Sequence, residues 1–511
     1  MQKSSPSIYF WTTAPFVGLI AVLAVIFPAH VNKAFTNAAT FIYTVFDWYI
    51  LWVPLAVFLI CMYIALSHIG GKTLGGEGAK PEYSMFSWLS LLFTAGIGVG
   101  IIFYGPLEGL WHYLHGNWAL LPGISSSQRA HYAMSTAIWL WGVPAWSIYT
   151  ISGVAIAYFA YEKGSQFTTQ APIQIAFSNH KWSGIVAKST MTFSIIAIGI
   201  SLASSLAMAS HQVSGGISYI IGSKESYAIY VLTFLFVFYI TVALTPIQKG
   251  LKVLSDLTIA LSIMLLIYIF LLGPTRYFLM TFFEAIGNTI SGTFNQSFNF
   301  FIFDKDRNWI NWYAMSYFIW WIGWTPFMGI FIAKVSKGRT YRQMIMASIF
   351  VPAGFIIMWF SVFSGFSILD TIEGSGTINA VANSNYEASI YALLELFPLS
   401  SITKPLIAFL LITFVVTTIV SGCITLGILT GKDGINPEKK KIFIWGCFMA
   451  AIAVPFVLSG KIEGIKAVGS LSGFPYVFVF FITIAALIKI IRHDERSAKL
   501  AASSEKGEQN E

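Results

Sequence analysis

The sequence predicts an all-α integral membrane protein with twelve transmembrane helices. Three observations lead there. Of its 511 residues, 56% are hydrophobic and only 10% charged, against roughly 25% charged in a soluble globular chain. The apolar residues gather into runs of about 20, the length that crosses a bilayer core. Lys and Arg collect in alternate loops, as the positive-inside rule requires.

The first span, 14–30, is preceded only by Lys3 and followed by no small-residue cleavage site. It is therefore read as a span and not as a removed signal peptide. The others are 48–68, 86–106, 132–160, 188–210, 226–246, 252–273, 310–333, 343–369, 404–430, 442–460 and 467–490. Between the seventh and eighth, the stretch 277–303 sets Glu284, Asn288, Asn295 and Gln296 among phenylalanines. That pattern predicts an amphipathic helix at the membrane interface. With this topology 21 of the 30 Lys and Arg lie on the side carrying both termini, which makes that side cytoplasmic. The net charge of +8 is thus topological and does not point to nucleic acid. The run Lys334, Lys337, Arg339 and Arg342 would also attract anionic lipid. Cys61, Cys423 and Cys447 all lie in apolar runs and read as small core residues.

The third span contains TAGIGVGIIFYGP, in which Gly96, Gly98 and Gly100 alternate. Gly96 and Gly100 form a G-x-x-x-G, which can serve helix packing. Each glycine also costs about 1 kcal/mol against alanine in a helix interior, so three in five residues make local unwinding cheap. Carbonyls freed in this way can face a cation.

The eighth span reads WWIGWTPFMG. Trp320, Trp321 and Trp324 share a sector about 100° wide, and Pro326 withdraws a backbone donor and loosens the turn before it. The fourth span reads WLWGVPAWSIY, where Trp141, Trp146 and Tyr149 share a sector of about 140° and Pro144 interrupts the helix. Two convergent aromatic faces suggest a box for a quaternary ammonium. Such a cation offers no N–H donors, and ring faces attract it by ~2 kcal/mol or more per desolvated contact.

A membrane enzyme would need clustered His, Cys, Asp or Glu, and a channel a repeated filter or a ring of charge. The sequence has neither, nor a soluble signalling domain. Asp256, one turn from Lys252, reads as half of an interfacial ion pair. Asp47 precedes the second span, and Glu108 reads as a helix-terminal or gate residue without a coupling role.

From about Phe86 to Lys489 the sequence resembles the betaine/choline/carnitine transporter family. The resemblance is carried by AGIGVG at 95–100, W-x-x-x-x-W-x-x-Y at 141–149 and WWIGWTPFMGIFIAKVSKGR at 320–339, with supporting text at 250–259 and 351–365. It implies a LeuT-type fold: two accessory helices (14–85), then inverted five-helix repeats (86–273 and 310–491). The segment 274–309 joins the repeats, and short tails (1–13 and 492–511) flank the whole. The resemblance also implies a homotrimer in a bacterial cytoplasmic (inner) membrane and secondary active import of a small quaternary ammonium solute. Glycine betaine is the expected substrate; choline, carnitine and dimethylsulfoniopropionate, with proton coupling or exchange, are the alternatives. No cofactor is expected beyond Na+ as coupling ion.

The substrate residues implied are Trp141, Trp146, Tyr149 and Trp321, with Trp320 and Trp324 lining the path. Thr94, Ile97, Phe414, Thr417 and Thr418 are implied for Na+, and the Ser201–Ser205 stretch lies near a second ion site. The residues alone leave Thr417 and Thr418 open, since membrane threonines usually bond their own preceding turn. No Arg or Lys occurs from Ser189 to Ile221, where sodium-independent exchangers of the family carry a cation. Position 100 is Gly where proton-coupled choline members tend to carry Asp. Both departures imply sodium coupling. The tail from Arg492 to Glu511 has no excess of positive charge, so osmosensing through a basic C-terminal helix is not expected.

Overall fold

The computed structural model describes residues 7–508 apart from 99, 121–122, 247–248, 304–306, 308, 432–436 and 460–461. Lys3, Lys432 and Glu511 lie outside the described residues, as do the side chains beyond Ser497. Among the described residues the regular structure is all helical, and the only β pairing is the isolated bridge between Thr73 and Thr340. Nine helices among the described residues are long and apolar enough to cross a membrane: Asp47–Leu66, Ser126–Glu162, Ser183–Ile221, Leu251–Leu272, Ile310–Val335, Tyr341–Glu373, Ser400–Leu429, Lys439–Leu458 and Leu471–Ser497. A tenth arises if Met85–Ile97 and Gly100–His115, bent by 62° at their break, are one span. Of the other expected spans, 14–30 runs past the end of Ser7–Ile26 into a second helix begun at Pro28, and 226–246 covers the 16-residue apolar helix Ala228–Ala243.

An unexpected helix, Pro28–Val45, follows the first, started by proline at its N-terminus. The predicted amphipathic helix forms over Thr275–Ser297. Its Asn288 is buried, and Gln296 bonds Ser135 and Thr136 of the Ser126–Trp141 helix. Phe283, Ile290 and Phe294 point outward. Its polar face therefore meets protein.

Small residues let the central helices touch. A Cβ added to Gly323 would lie 2.9 Å from Cα of Gly473, so the tryptophan helix (Ser316–Val335) and the last helix (Ile462–Glu508) cross at backbone contact. Gly153 and Gly329 do the same between the Val143–Ala157 helix and the tryptophan helix. Such crossings suit membrane helices, where packing and not exclusion of water holds helices together.

The basic loops converge at one end of the bundle. Lys72 pairs with Glu162, Lys163 with Asp494 and Lys337 with Glu82. The Arg339 guanidinium donates to the Tyr83 carbonyl and lies 4.8 Å over the Trp88 ring. Segments distant in sequence, all expected on the cytoplasmic side, thus form one face.

Candidate functional site: an aromatic box beside a broken helix

The two proline-marked segments behave differently. In the fourth span the helix stops at Trp141 and restarts at Val143, with Gly142 between them and Pro144 in the first turn of the second piece. The tryptophan helix, in contrast, runs unbroken through Pro326. This corrects the expectation of a loosened turn there. Pro326 cannot donate to the Ile322 carbonyl one turn back, but the Thr325 hydroxyl does so at 2.5 Å. The Thr325 carbonyl accepts in turn from Ser152.

The break at Gly142 turns Trp141 and Trp146 toward the tryptophan helix. Trp141 and Trp321 have ring centroids 5.2 Å apart with planes at 79°. Trp321 and Tyr149 follow at 5.8 Å and 85°, then Tyr149 and Trp146 at 5.6 Å and 88°. Each ring stands nearly perpendicular to the next, as adjacent walls of a box do. All four are at most 5% exposed. The Trp321 indole N–H donates to the Leu140 carbonyl at 2.9 Å, which ties the two segments together at the break. Trp320 stacks on Trp321 at 6.0 Å and meets Trp324 edge-on at 6.1 Å, so the two continue the aromatic surface away from the box.

The glycine stretch serves this box directly. The helix ends at Ile97, and Gly98 has φ +58°, a left-handed conformation that side chains resist. On either side of the break the glycines make room for rings. A Cβ on Gly96 would lie 2.9 Å from Cη2 of Trp146, and one on Gly100 only 2.6 Å from Cη2 of Trp141. Gly98 faces Trp324 and the Thr418 hydroxyl. The expected unwinding and the expected close packing therefore occur together.

Ending a helix at Ile97 leaves its last carbonyls without intrahelical donors. The Thr418 hydroxyl reaches one of them, the Thr94 carbonyl, at 3.0 Å. Beside it, the Thr417 hydroxyl bonds the Phe414 carbonyl at 2.9 Å. The broken helix and the Ser400–Leu429 helix thus meet at Thr94 and Thr418, with Thr417 and Phe414 in the same stretch of the latter and Ile97 at the end of the former. The carbonyls and hydroxyls there are hard, uncharged oxygens of the kind an alkali cation takes. Ser201 instead bonds Ser472 of the last helix, and Ser204 and Ser205 bond their own preceding turn.

Sequence reasoning missed two neighbours of the box, His112 and Tyr317, and read Glu108 only as a helix-terminal or gate residue. Glu108 and His112 are completely buried and paired at 3.2 Å. Tyr317 donates its hydroxyl to the other Glu108 oxygen at 2.9 Å, and its ring lies 5.6 Å from Trp141 and 6.4 Å from Trp321. Glu108 is thus held directly above the box through Tyr317. The available signal was an acid–histidine pair four apart in GPLEGLWHY, with Tyr317 one turn before Trp321. We expect Tyr317→Phe to lower the melting temperature of the purified protein. It would keep the ring but leave a buried carboxylate oxygen one donor short, at a cost of about 1–3 kcal/mol. An unchanged melting temperature would show that Glu108 is satisfied without Tyr317. Asp47, the other acid set aside in the sequence, pairs with Arg307 at 2.7 Å.

Comparison with known proteins bears on this geometry. The profile described as BCCT, betaine/carnitine/choline family transporter, matches residues 8–496. The glycine betaine transporter OpuD of Bacillus subtilis is 29% identical over 500 residues, covering 97% of this chain and 96% of that protein. The ectoine/hydroxyectoine transporter of Virgibacillus pantothenticus is 27% identical, covering 96% and 97%. The osmo-independent choline transporter BetT1 of Acinetobacter baylyi is also 27% identical, covering 96% and 95%. With the match running through the broken helix, the box and the hydroxyl cluster, the chain is a multi-pass membrane transporter and not an enzyme, and it belongs to the betaine/carnitine/choline transporter family.

Proposed function

We propose that the protein imports a small quaternary ammonium solute bearing a carboxylate, glycine betaine foremost, in symport with Na+. The observation that carries the substrate reading is the box of Trp141, Trp146, Tyr149 and Trp321. Its walls are ring faces, suited to a cation without N–H groups. The polar atoms at its edges point the same way. Trp141 Nε1, Tyr149 Oη, Trp320 Nε1 and Trp324 Nε1 are shielded from solvent and without hydrogen-bond partners. Buried donors without acceptors are costly, and a carboxylate on the substrate supplies acceptors where a bare onium does not. Position 100 has no room for an acidic side chain against Trp141, which favours betaine over choline with proton coupling.

The contact of the Thr94 carbonyl with Thr418, one helical break from the box and with Ile97, Phe414 and Thr417 in the same two segments, supports Na+ as the co-transported ion. The basic face described above would be cytoplasmic, with both termini there, and the chains would assemble as trimers around two inverted five-helix repeats. Twelve spans in a bacterial cytoplasmic membrane complete the reading.

Quenching of tryptophan fluorescence by ligands tests the substrate. Glycine betaine should bind more tightly than choline, and carnitine, dimethylsulfoniopropionate and ectoine rank the remaining zwitterions. Preference for choline over every carboxylate would overturn the reading. For the ion, replacing both Thr417 and Thr418 by Ala should raise the Na+ concentration for half-maximal uptake at least tenfold, since two of the oxygen ligands are lost. Substrate affinity without Na+ should hold. An unchanged Na+ requirement would remove these residues from the ion site.

A further inference from the structure

Beneath the proposed Na+ site, a line of hydroxyls leads to a carboxylate that has a free oxygen. Thr94, whose carbonyl meets Thr418, donates its hydroxyl to the Ser90 carbonyl at 2.8 Å and lies 2.9 Å from the Ser255 hydroxyl. Ser255 is followed by Asp256 on the Leu251–Leu272 helix. One oxygen of Asp256, Oδ2, takes Lys252 at 2.7 Å and the Ser87 hydroxyl at 2.8 Å. The other, Oδ1, is shielded from solvent and has no partner. The Ser90 hydroxyl also has none, although Ser90 is only 2% exposed. Ser87, Ser90 and Thr94 are spaced by three and four, so they lie along one face of their helix, the face that meets Ser255 and Asp256.

The Lys252–Asp256 pair expected from the sequence is therefore present, but it uses half of the carboxylate. A surface ion pair needs no hydroxyl track leading away from it into the protein. A cation leaving a buried site does need one, because each step through apolar surroundings without an oxygen ligand is prohibitive. We propose that Asp256, with Ser90 and Ser255, is a transit site through which Na+ passes between Thr94 and the cytoplasm. Lys252 competes with the ion for the carboxylate and so limits how tightly it is held. This inference rests on the proposed Na+ symport.

The test uses right-side-out membrane vesicles, with labelled glycine betaine and Na+ fixed outside. Inside, Na+ is raised in place of K+. In the wild type, internal Na+ should inhibit uptake by rebinding from the cytoplasmic side. Asp256→Asn should raise the half-inhibitory internal Na+ about tenfold, the loss of one charged ligand. The external Na+ for half-maximal uptake should stay within about twofold of wild type. Lys252→Gln should shift internal inhibition the opposite way, and Asp256→Glu should restore it. The opposed signs separate a transit site from a structural ion pair, whose two halves would fail alike. Should D256N not reach the membrane, Lys252→Gln and Ser90→Ala carry the test, Ser90→Ala raising the half-inhibitory concentration about threefold. Shifts of the same sign at Asp256 and Lys252, no shift at either, or an equal change in external Na+ dependence would overturn the transit site while leaving symport intact. Wild-type uptake indifferent to external Na+ would instead remove the symport reading beneath it.

Discussion

Replacing Trp321 by alanine is expected to weaken substrate binding about thirtyfold while the protein still folds. Trp321 is the one box wall supplied by the tryptophan helix. It stands at right angles to Trp141 and Tyr149 and lies under Trp320. One desolvated cation–π partner contributes ~2 kcal/mol, which is about thirtyfold in affinity. The substitution also removes the indole bond to Leu140 that ties the tryptophan helix to the break at Gly142. Trp321→Phe separates the two effects, since it keeps a ring face and loses only the N–H. We expect it to cost less than tenfold, with a net hydrogen-bond contribution of about 1 kcal/mol. Fluorescence titration of purified protein checks both. An alanine variant within threefold of wild type would show that Trp321 does not face the substrate.

Enlarging Gly100 should be comparably damaging without touching any aromatic residue. A Cβ there falls 2.6 Å from the Trp141 ring, and that ring cannot retreat. Tyr104, Tyr317, Trp321 and Phe360 all have centroids within 5.9 Å of it. Overpacking of this kind costs about 1–3 kcal/mol, taken up by the part of the structure that yields first. The strain falls first on Trp141, itself a wall of the box, and through it on the rings packed against it. We expect Gly100→Ala to reduce betaine affinity about tenfold and Gly100→Val to abolish measurable binding. Gly96→Ala, pressing on Trp146 at 2.9 Å, should behave like Gly100→Ala. Normal affinity in Gly100→Val would mean that Trp141 does not form the wall assigned to it.

Composition and periodicity alone put most expected spans on single helices, because bilayer thickness and apolar run length leave little freedom, but 14–30, 86–106 and 132–160 each run across a helix break. The aromatic box was legible for a related reason. Its members lie on two short segments where helical spacing and the breaker at Gly142 and Pro144 decide direction. Other features depended on partners far along the chain. The capping of Ile322 by Thr325 beneath Pro326 is local, but it reverses what proline alone predicts. Reading the tryptophan stretch as loosened missed that hydroxyl. Glu108, read from sequence as a helix-terminal or gate residue, lies instead inside the Gly100–His115 helix, and the hydroxyl bonded to it comes from Tyr317, 209 positions away. Likewise, the glycines announced a break, but not that each also seats a particular tryptophan. Asp256 was visible as half of an ion pair, whereas its free oxygen and the hydroxyls above it appear only when two helices are brought together.

The most direct measurement is accumulation of labelled glycine betaine by the purified protein in proteoliposomes under separately imposed gradients. With Na+ high outside, low inside and equal pH, betaine should accumulate above the external concentration and be released when a Na+ ionophore is added. With Na+ absent from both sides, an inward proton gradient should drive none. Accumulation that follows the proton gradient in the absence of Na+, or equilibration without accumulation under the Na+ gradient, would contradict the account.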